Sequence, residues 1–109
     1  MAQRAGRLAT SAMTTYILLA TISPQGLQTL RVTPERLFEV NREIEDLGGR
    51  VIDQWAVLGL YDFLSVIEAP GDAAVAHMTA ELSARGSATF ETLTVVETSD
   101  VFTGLDPAE

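Results

Sequence analysis

Apolar positions recur along this chain in two rhythms, one of strand length and one of helical spacing, and their order predicts a fold. From Thr15 the run "TYILLATI" is continuously apolar, as in a central strand covered on both faces. Ser23-Pro24-Gln25-Gly26 then reads as a loop. Thr33-Pro34 opens a helix, with Thr as N-cap and Pro at the first helical position, where its missing N–H costs nothing. Leu37, Val40, Ile44 and Leu47 form its buried stripe and Glu39, Arg42, Glu43 and Asp46 its wet side. Gly48-Gly49 ends it. Two β-rich runs follow, "RVIDQWAVL" and "YDFLSVIEA", separated by Gly59-Leu60 in a type II′ hairpin turn. Pro70-Gly71-Asp72 starts a second helix capped by Gly71 or Asp72, with Val75, Met78 and Leu82 inward and Glu81 paired to Arg85 outside. Gly86 closes it, and "ATFETLTVVET" is a last strand by its Thr, Val and Phe content.

The order βαββαβ is the ferredoxin-like, split βαβ pattern of the α+β class: a four-stranded antiparallel sheet with two helices on one face. The other sheet face is then without a cover, and stacking on a second copy is its natural remedy. With Gly59-Leu60 central in the turn, Leu58 pairs with Tyr61, Val57 with Asp62 and Trp55 with Leu64. Parity then places Ile52, Gln54, Ala56, Leu58, Tyr61, Phe63, Ser65 and Ile67 under the helices. Val51, Asp53, Trp55, Val57, Asp62, Leu64, Val66 and Glu68 fall on the opposite face.

Composition narrows the function. At 109 residues, 47% hydrophobic, the chain is one small domain whose apolar surface is large enough to expect a homodimer or a higher assembly. Residues 1–13 read as a disordered N-terminal extension, 14–99 as the folded domain and 100–109 as a C-terminal tail. The net charge is −8, and every cation is Arg. Nucleic acid is therefore not an expected partner, since phosphate binding needs a basic stripe. No run approaches a membrane span and no signal peptide is convincing, so a cytoplasmic location without membrane contact is expected. The chain has no cysteine and one histidine. Neither a zinc site nor a thiol nucleophile can be built from that, and no metal or cofactor is expected.

Three spaced motifs carry a family resemblance. "LGGRV" at 47–51, "LGLYDF" at 58–63 and "EAPGDAAVA" at 68–76 resemble the GYD domain family, whose Gly-x-Tyr-Asp signature is here Gly59, Tyr61 and Asp62. "TYILLATISPQG" and "TPERL" are similar to it too, so the likeness runs from about Thr14 to Thr98. It departs at "PGD", where members often carry two successive acids, and in the N-terminal extension. The resemblance implies a ferredoxin-like fold related to the dimeric α/β-barrel proteins, and no settled activity.

Candidate site residues are Trp55, Tyr61, Asp62 and His77. A carboxylate at Asp62 has to accept backbone N–H bonds, meet an Arg, or face water or a ligand. Trp55 shares its predicted face, as for stacking on a small organic ligand or for a dimer contact. Tyr61 is a core aromatic with its hydroxyl at an edge, or a ligand contact. His77 sits on a helix flank. Phosphate-loop and serine-hydrolase motifs do not occur. Three readings follow: an oligomer binding a small organic ligand near the hairpin, a cofactor-free enzyme of the dimeric α/β-barrel type, and a protein-interaction or assembly module.

Overall fold

The structure, a computed structural model, describes residues 13–102. The expected N-terminal extension, apart from Met13, and residues 103–109 of the expected tail lie outside them. In chain order the elements are β1 (Thr14–Ile22), α1 (Pro24–Val32), α2 (Arg36–Asp46), β2 (Arg50–Ala56), β3 (Phe63–Ala69), α3 (Asp72–Ser83), β4 (Ala88–Thr94) and α4 (Thr98–Val101). The strands form one antiparallel sheet in the order β2-β3-β1-β4. This is the expected α+β, ferredoxin-like arrangement, with the connection from β1 to β2 made by two helices in place of one.

The extra helix is α1. Ser23 caps it by accepting from the Gly26 N–H at 3.0 Å, and Pro24 takes the first helical position, where it needs no hydrogen bond. The loop expected at Pro24–Gly26 is therefore a helix start. Gly26 is buried where a Cβ would lie 2.5 Å from the Ser87 carbonyl oxygen, so it serves a close backbone approach. Thr33, expected to cap the next helix, instead closes α1, donating its N–H to the Thr29 carbonyl, and α2 begins at Arg36 after Glu35, with no side-chain cap bond. Gly48 ends α2 with a φ of 101°, in the left-handed region that glycine enters without strain.

The core lies between the helices and one sheet face. Tyr16, Leu18, Ile67 and Ala69 from the sheet meet Ile44 of α2 and Val75, Met78 and Leu82 of α3, all buried. Val40 and Leu47 pack against this cluster, as the helical stripes predict. The Tyr16 hydroxyl donates to Asp72 Oδ1 at 2.6 Å and ties β1 to the first turn of α3. Burial first, and this bond second, push the Tyr16 phenol above its ordinary value of 10.0.

Two local expectations fail for tertiary reasons. The ladder between β2 and β3 shifts between Val51 and Asp53, so Val51 pairs with Ile67 and packs toward the core. Ile52, expected under the helices, is the extra residue of this bulge and is exposed. Arg85, expected to pair with Glu81 along α3, instead makes an ion pair with Glu43 of α2.

Gly26→Ala should destabilise the protein by about 1–3 kcal/mol, because the methyl meets backbone that is itself held by the Ser23 N–H. The better helix propensity of alanine offsets only part of that. Urea denaturation is the measurement, and unchanged stability would mean that the Ser87 carbonyl can move aside. Stability should also fall as pH rises beyond 10, since the unfolded chain gives up the phenol proton before the folded one does. Tyr16→Phe should flatten that alkaline loss in melts run between pH 8 and 12.

Candidate functional site

The Gly-x-Tyr-Asp segment sits where three strands end together. Val57 N–H donates to the Asp62 carbonyl, closing the β2–β3 ladder, and residues 58–61 bend beyond it. Gly59 has a φ of 118°, which explains glycine there. The Asp62 N–H donates to the Ala20 carbonyl at 2.8 Å, and its carboxylate Oδ2 accepts the Ile22 N–H at 2.8 Å. One half-buried aspartate thus supplies the last two bonds to the end of β1. A backbone carbonyl in a longer β3 would otherwise do the second of these.

Tyr61, expected under the helices, instead reaches across to β4, where its hydroxyl donates to Glu91 Oε1 on the opposite face. That bond is the larger cause, ahead of desolvation, of a phenol raised above the ordinary value of 10.0. Trp55 pairs with Leu64 and is half exposed. His77 lies exposed on α3, in the helical layer, apart from the other three. The structure therefore gathers Trp55, Tyr61 and Asp62 near one end of the sheet and leaves His77 out. Among the described residues no group of three or more His, Cys, Asp or Glu is arranged to hold a metal ion.

The strand registers order the face turned away from α1–α3 into rows. Across β2, β3, β1 and β4, one row reads Asp53, Val66, Ile17, Leu93 and the next Trp55, Leu64, Leu19, Glu91. The centre is aliphatic, and an acid stands at each of two opposite corners. Leu58 and Leu60 project from the hairpin tip fully or nearly fully exposed, and Phe38 and Val32 stand out from α2 and α1.

Under the helices there is a cavity of about 80 Å³ whose walls include Leu18, Leu30, Leu37 and Phe90. Its polar residues are Gln54 and Ser65 on the sheet, Thr29 on α1, Arg36 on α2 and Ser87 before β4. Asn41 and Gln54 exchange two amide hydrogen bonds of 3.0 Å, and Gln54 Nε2 also donates to Ser65 Oγ at 2.8 Å. None of the four candidate residues lines this space. Sequence reasoning did not single out Arg36, Glu43, Gln54 or Ser65. The usable signal was that Arg36 and Glu43 stand four residues before and three after Val40, on the flank of the buried stripe.

The family model of the GYD domain matches residues 16–103. A protein of Thermus thermophilus named "Glutamine synthetase and cystathionine beta-lyase binding protein" is 45% identical over 94 residues, covering 85% of this chain and 99% of that protein.

The geometry makes Asp62 a test of its own bond. Asp62→Ala leaves the Ile22 N–H without its acceptor and should cost about 1–3 kcal/mol. Asp62→Asn keeps one carbonyl oxygen and should cost less than half as much. Equal losses in chemical denaturation would show that the charge, and not the acceptor, holds the strand end.

Proposed function

The chain belongs to the GYD domain family, and from that premise we propose that it is a homo-oligomeric protein that binds metabolic enzymes and carries out no reaction of its own. The observation that carries this reading is the near end-to-end match to a relative named for binding two enzymes. The hairpin residues take structural roles in it, since Asp62 is engaged by Ile22 and Tyr61 by Glu91. Among the described residues no hydrogen bond or ion pair positions the exposed His77 as a general base.

Two surfaces divide the work. The aliphatic centre of the sheet face, Ile17, Leu19, Leu64 and Val66, suits a second copy, because a pleated face is matched by another at roughly 10 Å. Trp55 and Leu93 extend the contact on either side. That pairing leaves the helical layer outward. There Phe38 stands exposed on a helix whose exposed residues include Glu39, Glu45 and Asp46 against one exposed cation, Arg42, a predominantly acidic surround that fits an apolar pocket with a basic rim on the partner enzyme.

Calorimetric titration of the purified chain into purified glutamine synthetase and cystathionine β-lyase from the same organism should show saturable binding to at least one of them. Phe38→Ser should weaken it about tenfold or more. Heat from neither enzyme would overturn the proposed role. Light scattering reads the other surface: the native chain should have at least the mass of a dimer, and Leu64→Glu should give a monomer, because a lone buried charge costs several kcal/mol by order of magnitude.

A further inference from the structure

The cavity beneath the helices does not stand alone. A second space of about 40 Å³ adjoins it, sharing Arg36, Val40, Ser87, Ala88 and Phe90 as walls. Together they make a cleft between α2 and the start of β4, reaching the end of α3 at Leu82 and Arg85.

The chemistry of this cleft is graded. The larger chamber is apolar on most sides, with Ser65 and Gln54 as its polar wall. The smaller one holds charge. Arg85 engages Glu43 Oε2, while Glu43 Oε1 is buried without a hydrogen-bond partner among the described residues. A carboxylate oxygen in that position costs free energy until a donor reaches it. Arg36 uses one guanidinium nitrogen on Glu39, retains further N–H donors, and is a wall residue of both chambers.

The missing occupant must therefore donate to Glu43, accept from Arg36 and carry a small apolar body. We infer that the cleft binds a short branched-chain α-amino acid, its ammonium on Glu43 Oε1, its carboxylate on Arg36 and its side chain in the larger chamber. Zwitterion and site balance in charge, because Glu43 is offset by Arg85 and Arg36 by Glu39. Size sets only the side chain: at roughly 30 Å³ for a water-sized group, about three heavy atoms fit the larger chamber, as in an isopropyl group, while the zwitterionic head stays at the open mouth beside the part-exposed Arg36 and Arg85. A simple carboxylate leaves Glu43 Oε1 unpaired, and a simple amine makes no use of the Arg36 N–H donors that Glu39 leaves over. The site lies on the opposite side of the sheet from the proposed self-association face and stands or falls separately from it.

Backbone-amide NMR of the full chain, titrated with L-valine, isobutyrate, isobutylamine and L-phenylalanine, tests this. L-valine should give saturable shifts confined to α2, the end of α3 and the start of β4. Isobutyrate and isobutylamine should each bind at least about tenfold more weakly, since each forfeits one charged hydrogen bond. L-phenylalanine should be excluded by size. Glu43→Gln should weaken L-valine by a similar factor, and its amide spectrum reports whether the variant is folded. No saturable shift with L-valine, binding of isobutyrate or L-phenylalanine as tight as that of L-valine, or shifts centred on the other sheet face would each overturn the inference.

Discussion

The exit of β1 is the point on which the rest of this molecule depends. β1 is bonded on both sides, to β3 and to β4, and at Ile22 it must leave the sheet and become a helix within two residues. Backbone donors there would be stranded in a partly buried place. Three acceptors from three parts of the chain meet them: the Asp62 carboxylate for Ile22, the Ser87 carbonyl for Ser23 and the Ser23 hydroxyl for Gly26. Gly26 lets α1 come down onto Ser87, and that approach sets the roof of the cavity.

From this point the two sides of the sheet diverge in character. Toward the helices the chain closes a core around Tyr16, Ile67 and Met78, then leaves space where α1 and α2 bridge the sheet. Two polar groups of that space, Gln54 and Ser65, are bonded to each other, and Gln54 also to Asn41 behind it, which lowers the cost of a polar wall inside an apolar layer. On the far side, an aliphatic centre ends at two acidic corners. A small domain has only two such faces to use. The proposed self-association would use one, and the proposed ligand the other.

Much of this could be read from residues in order. The α3 stripe of Val75, Met78 and Leu82 is buried as its spacing requires, and the motif order predicts the sheet. Asp62 announced itself as a carboxylate in need of donors, though not which donor, because Ile22 is forty positions away. What escaped was decided by tertiary contact. Ser23-Pro24 carries the same signal as Thr33-Pro34, a hydroxyl residue before proline, but a glycine two residues on reads as a breaker unless its close neighbour is known, and of the two hydroxyls only Ser23 caps a helix. The bulge at Ile52 leaves no local mark, and one extra residue reverses parity beyond it. Arg85 had a partner four residues away in sequence and a better placed one on another helix.

The bulge also bears on how copies of this chain avoid one another. β2 is an edge strand, and an edge with unbroken spacing of N–H and C=O groups is a template onto which a foreign strand can zip. The extra residue at Ile52 breaks that spacing in the middle of the strand, so an incoming strand in register with Arg50 and Val51 falls out of register by Asp53. A chain this apolar is thereby steered away from open-ended growth along this edge, the route to fibres, whereas the face-to-face contact proposed above would stop at a finite number of subunits.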